Sequence, residues 1–129
     1  MIVCFDVDLT LLAASHDRLR PHTRQVLRAM RAEGHDVYVW SAGGRDYAQQ
    51  MCRRFGIDAL ILAAFGKDEV SLSPDFVVDD DPEMLQRFPG FLVKPYFAAA
   101  REDSALLEAL AALRHHATAG LAAADTTPA

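Results

Sequence analysis

Cysteine is scarce in this sequence: only Cys4 and Cys52 occur among 129 residues, and they form neither a CxxC pair nor a Cys/His ligand spacing. That argues against a thiolate metal centre and against a disulfide framework. Each cysteine falls in an apolar segment, and both read as core thiols of a protein held in a reducing, cytoplasmic compartment. Long apolar runs are also missing, since none approaches the roughly 20 residues needed to cross a bilayer. The apolar opening is broken by Asp6 and Asp8 and follows no basic stretch, unlike a secretory signal. Positive charge is in deficit, with 13 Lys+Arg against 18 Asp+Glu for a net charge of −5. Such a chain has no general attraction to anionic membranes, and polynucleotide partners are disfavoured without being ruled out.

What is present suffices for one compact domain. With 51% apolar residues the chain can build a real core, because a domain of this size hides roughly two-thirds of its unfolded surface. A single domain is expected over residues 1–120, with 121–129 as a frayed tail. Ile2 to Val7 is short, apolar and β-branched, as in a strand buried on both faces. Pro21 to Ala32 carries the helical stripe Val26, Leu27 and Met30, stopped by Gly34. A second strand is expected over Asp36 to Trp40, and a second helix on the stripe Tyr47, Met51 and Phe55, ended by Gly56. Further strands are expected over Ala59 to Leu62, Phe76 to Val78 and Phe91 to Val93. A short helix opens at Pro82 with Asp81 as its N-cap, and a last one runs over about Glu102 to Ala119, ended by Gly120. Strands alternating with helices argue for a parallel sheet covered on both faces.

In such sheets ligands bind beyond the carboxyl ends of the strands. The polar residues at those ends form a coherent set: Asp6 and Asp8, Ser41, Lys67, and Asp79 to Asp81. Two carboxylates two positions apart on an extended strand share a side. One can attack phosphorus to form an aspartyl-phosphate while the other moves protons. Several acids facing a phosphate dianion would repel it unless a hard divalent cation lay between them, and Mg²⁺ is the natural choice. Lys67, the Ser41 hydroxyl and backbone N–H groups around Ala42 could hold the remaining phosphate oxygens.

FDVDLTLL at Phe5 to Leu12 resembles the DxDxT signature of the haloacid dehalogenase superfamily. VWSAGG at Val39 to Gly44 is similar to its second motif, and VVDDDP at Val77 to Pro82 to its fourth, over roughly residues 1 to 95. The resemblance implies a Rossmann-like three-layer sandwich with a parallel sheet of about five strands. It implies Asp6 as nucleophile, Asp8 as general acid/base, Ser41 and Ala42 as phosphate ligands, and Asp6, Asp8 and Asp79 as ligands of Mg²⁺. Thr10 and Asp80 would support them. Within the resemblance, Asp at position 8 points to phosphatase or phosphomutase chemistry, and hydrolysis of a phosphomonoester is preferred because a phosphomutase normally needs an enclosing lid to keep water out. The family's lysine is matched by Lys67 in preference to Lys94, which follows the fifth strand, although Asp79 is only 12 positions beyond Lys67.

Residues 9–20 leave room for a flap and not for an inserted domain, so the resemblance is to a capless member with an open site. An open site suits a macromolecular substrate, or a small phosphorylated molecule if a second copy of the chain covers it. The alternative is a module that keeps the fold and the metal site for binding or regulation and has lost turnover. A receiver domain is rejected, because too few residues lie between Asp81 and Lys94 for its four intervening strands.

Overall fold

The computed structural model describes residues 1–69, 72–99 and 102–125. Five strands form one all-parallel sheet in the order β3-β2-β1-β4-β5. They are β1 (Ile2–Asp6), β2 (Asp36–Ser41), β3 (Ala63–Gly66), β4 (Phe76–Asp79) and β5 (Gly90–Leu92). The helices are α1 (Thr23–Ala32), α2 (Arg45–Arg54), α3 (Pro82–Arg87) and α4 (Ala105–Asp125). The α/β fold is a Rossmann-like three-layer sandwich.

Strand alternation divides the core in two. Val3, Phe5, Val37, Val39, Phe76 and Val78 pack on one face against the buried sides of α1, α2 and α4. Cys4, Trp40 and Val77 point the other way and meet Met84 of α3. Cys4 and Cys52 are buried and unpaired, and burial pushes both thiols up to about 12. Gly90 lets β5 close on β4, since a Cβ there would stand 2.1 Å from the Val77 carbonyl oxygen. No helix among the described residues is long and apolar enough to cross a membrane.

Two elements differ from expectation. The third strand is Ala63–Gly66, because Asp58–Leu60 is wound into a 3-10 turn. The apolar run through this region has no period-two signal to fix where pairing starts. Its pairing sets Ala63 beside Tyr38 and Gly66 beside Ser41. The last helix begins at Ala105, whose N–H is accepted by Asp103 at 3.0 Å, and continues past Gly120 to Asp125. One glycine costs a helix only about 1 kcal/mol relative to alanine, which the surrounding alanines tolerate. Residues 126–129 of the expected tail lie outside the described residues.

Candidate active site

The sheet reverses its strand order between β1 and β4, and their carboxyl ends carry the acids. Phe5 pairs with Val78, so the next residues, Asp6 and Asp79, stand side by side. Both are buried, Asp79 completely. Lys67 leaves β3 directly, its N–H donating to the Ser41 carbonyl at 2.9 Å. Its side chain passes Trp40, with Nζ 6.0 Å from the indole centroid, and ends 2.9 Å from both Asp6 Oδ1 and Asp79 Oδ2. The connection to β4 therefore need not hold a helix, because the strand end itself delivers the lysine. The other candidate, Lys94, is exposed and contributes its backbone carbonyl elsewhere.

Thr10 Oγ1 lies 3.2 Å from Asp6 Oδ2 and 3.2 Å from Asp80 Oδ1, tying the turn after β1 to the end of β4. The Asp81 N–H donates to Asp79 Oδ1 at 3.0 Å, and Asp81 caps α3 by accepting from Glu83 N–H. Oxygens of Asp6, Asp79 and Asp80 lie within 4.8 Å of one another. Burial, then the charge of Asp79, pushes Asp6 up to about 8 against the pull of Lys67. Burial likewise raises Asp79 against Lys67. Burial would lower Lys67, but Asp6 and Asp79 outweigh it and hold the ammonium above its ordinary value. One ammonium cannot balance these carboxylates when all are ionised. The donor set is oxygen only and carries excess negative charge, which fits a hard divalent cation such as Mg²⁺.

Asp8 lies outside that group. The strand ends at Asp6, and the Val7 carbonyl then accepts from the N–H groups of Leu11 and Leu12, both at 3.0 Å. This tight turn, with Leu9 at φ 65°, carries Asp8 out of the extended register. Its half-exposed carboxylate is held by the Tyr47 hydroxyl, which donates to Oδ1, and by His16, whose Nε2 is 3.2 Å from the same oxygen. Burial and the adjacent Asp8 keep the Tyr47 hydroxyl well above its ordinary value, so it stays a donor.

Ser41 is buried, its Oγ accepting from Gly43 N–H at 3.0 Å, and Ala42 is exposed at the turn beyond it. A Cβ on Gly43 would stand 3.1 Å from Tyr47 Cδ2 and 3.3 Å from Ser41 Oγ. Arg45 pairs with Glu69, joining this turn to the segment after Lys67.

Tyr47 had an apolar reading as a member of the α2 stripe. Its hydroxyl, where phenylalanine would serve a purely apolar face, is the one hint of a polar task. Arg20 carries no sequence signal. It is 3% exposed, and its Nε lies 3.1 Å from both oxygens of Asp103, 83 residues away. Its remaining nitrogens donate to the carbonyls of Leu9, Thr10 and Lys94 at 3.4, 3.2 and 2.6 Å. Arg20 thereby fixes the turn that carries Asp8 and Thr10. Tyr96 packs under it, with the guanidinium 5.3 Å from the ring centroid, while Phe97 is 65% exposed.

No family model and no curated protein matches this sequence. Among solved structures, it is similar to an uncharacterized protein from Listeria monocytogenes serotype 4b, with a TM-score of 0.66 and 12% identity over 92% of this chain and 99% of that one. It is also similar to DsGPDH of Dunaliella salina, with a TM-score of 0.50 and 23% identity over 72% of this chain. There it spans 24% of the other protein's length. At these identities the likeness is one of fold.

Proposed function

We propose that this protein is a phosphomonoester hydrolase of the haloacid dehalogenase type, dependent on Mg²⁺ and working through an aspartyl-phosphate on Asp6. The observation that carries this reading is the meeting of Asp6, Lys67 and Asp79 at the switch point of the sheet, with Asp80 beside them. A buried carboxylate between a cation and two further acids is suited to attack on an anion whose charge is neutralised locally. Asp6, Asp79 and Asp80 would hold Mg²⁺, which when bound supplies the positive charge that brings a phosphate dianion to the acids.

An Asp6 oxygen bonds to phosphorus as the bond to the leaving oxygen breaks, and Asp8 gives that oxygen a proton. Asp8 then takes a proton from water, the water oxygen bonds to phosphorus, and the Asp6–phosphorus bond breaks to release phosphate. Lys67 Nζ, which already bridges Asp6 and Asp79, lies within reach of a phosphate oxygen bound there. Ser41 Oγ and the backbone around Ala42 border the same end of the sheet. The 9–20 connection is too short for an inserted domain over the site, which is compatible with a macromolecular substrate or with a small one covered by a second copy of the chain. The charge of −5 disfavours a polynucleotide, and the two buried free thiols fit a cytoplasmic setting.

The test is turnover. Purified protein with Mg²⁺ should hydrolyse members of a phosphomonoester panel, and Asp6→Asn should abolish hydrolysis. No turnover on the panel, or full activity in Asp6→Asn, overturns the reading.

A further inference from the structure

We infer that Tyr47 and His16 act as positioning residues that make Oδ2 of Asp8 the oxygen exchanging protons with the leaving group and with water, equipping the site for alkyl phosphates. This rests on the phosphomonoesterase reading above. Both contacts fall on one atom: the Tyr47 hydroxyl donates to Asp8 Oδ1, and His16 Nε2 lies 3.2 Å from that same Oδ1. A carboxylate oxygen has two lone pairs in the plane. With the imidazole hydrogen on Nε2, both lone pairs of Oδ1 are engaged. No hydrogen bond among the described residues reaches Oδ2, which leaves it the oxygen of Asp8 open to the leaving group and to water.

The two donors come from separate parts of the chain and are each constrained. Tyr47 is in the first turn of α2, and its ring rests against Gly43, where a Cβ would come within 3.1 Å. The missing side chain at Gly43 is what lets the phenol approach the turn after β1. His16 sits in the 9–20 connection at φ 60°, in the left-handed region. Among the described residues, no hydrogen bond or ion pair joins either residue to Asp6, Asp79 or Lys67. Their common target is Asp8, and fixing its rotamer leaves one oxygen free.

In the first step the Oδ2 proton passes to the leaving oxygen as the phosphorus–oxygen bond breaks and Asp6 bonds to phosphorus. In the second, Oδ2 takes a proton from the water that displaces Asp6. An alkoxide is a poor leaving group and needs the proton as it departs, whereas 4-nitrophenolate leaves without one. The positioning of Oδ2 therefore matters for alkyl esters and little for activated aryl esters.

The experiment measures kcat/KM, which reports the steps through departure of the leaving group, for Tyr47→Phe and His16→Ala on O-phosphoserine and on 4-nitrophenyl phosphate. Both variants should melt near wild type, since the phenylalanine ring keeps the Gly43 contact and His16 is exposed. Tyr47→Phe should lose roughly 10²-fold on the alkyl ester and stay near wild type on the aryl ester. His16→Ala should show the same selectivity with a smaller loss, and His16→Gln, which keeps a donor, should recover it. Equal losses on both esters, or no loss on the alkyl ester, overturn the positioning role and leave the phosphatase reading standing. A wild type that hydrolyses only the aryl ester also overturns it. A wild type that hydrolyses neither overturns both.

Discussion

Lys67 Nζ stands 2.9 Å from Asp6 Oδ1 and 2.9 Å from Asp79 Oδ2, so one ammonium spans two buried carboxylates from neighbouring strands. The lysine starts from β3 at the sheet edge and crosses β2 to reach them. Four strands thus converge on one point at the top of the sheet.

Replacing Lys67 by methionine keeps the length of the side chain and removes its charge. Two buried acids then face each other without a cation, a situation that costs about 3 kcal/mol or more when a buried pair is broken. The metal-free variant should lose about that much stability above pH 8, where Asp6 is ionised, and much less in acid, where the carboxyls are protonated. Urea unfolding at the two pH values checks this, and a loss independent of pH would contradict it.

Asp6→Asn relieves repulsion with Asp79 while leaving Lys67 a partner. The metal-free variant should melt higher than wild type near pH 8, by about 4 °C for each kcal/mol relieved. Calorimetry in the presence of a chelator measures it. A lower melting temperature would show that Asp6 stabilises the metal-free fold.

The pH dependence follows from the sign of the Asp6 shift. Its folded value is about 8 against an ordinary 3.8, so the folded state binds the extra proton between them. Stability from this group is fully present below about pH 4 and is lost as pH rises through about 8; burial pushes Asp79 the same way. Mg²⁺ needs the ionised carboxylates, so its stabilising effect should be largest above pH 8 and vanish in acid. Thermal melts with and without Mg²⁺ across this range read both trends. Fluorescence of Trp40, the sole tryptophan, gives a second readout, since it lies beside Lys67.

Arg20→Ala strips a buried guanidinium from Asp103 and from three backbone carbonyls. A loss of about 3 to 5 kcal/mol is expected from unpairing a buried charge, with activity falling as the Leu9–Thr10 turn loosens. Arg20→Lys keeps the charge and loses the planar fork, so it should be intermediate. Urea unfolding and KM together check this; an unchanged KM would uncouple the turn from the site.

The five parallel strands were legible because each is an apolar run closed by polar residues, and the same closures marked Asp6, Lys67 and Asp79. The third strand was displaced in the reading because Ala59 to Ala64 is apolar throughout, with no alternation to set its register. Asp8 read as a strand partner of Asp6 because spacing alone does not reveal that the ladder stops at Asp6. Arg20 and Tyr47 were illegible for another reason. Their partners, 83 and 39 positions away, are set by tertiary packing and leave no local pattern.

Thr10 bridges Asp6, four residues before it, and Asp80, seventy residues after it. A chain growing from a ribosome would present Asp6 and Asp8 well before β4 exists, and Lys67 shortly before it. The acidic cluster of Asp6, Asp79 and Asp80 then has no early, local form that could nucleate folding. It comes into being when β4 inserts beside β1, after the entropy of closing that long segment has been overcome. Ion affinity at the proposed site would in that case report the closure of β4 on β1, and copies lacking β4 would hold no cation there.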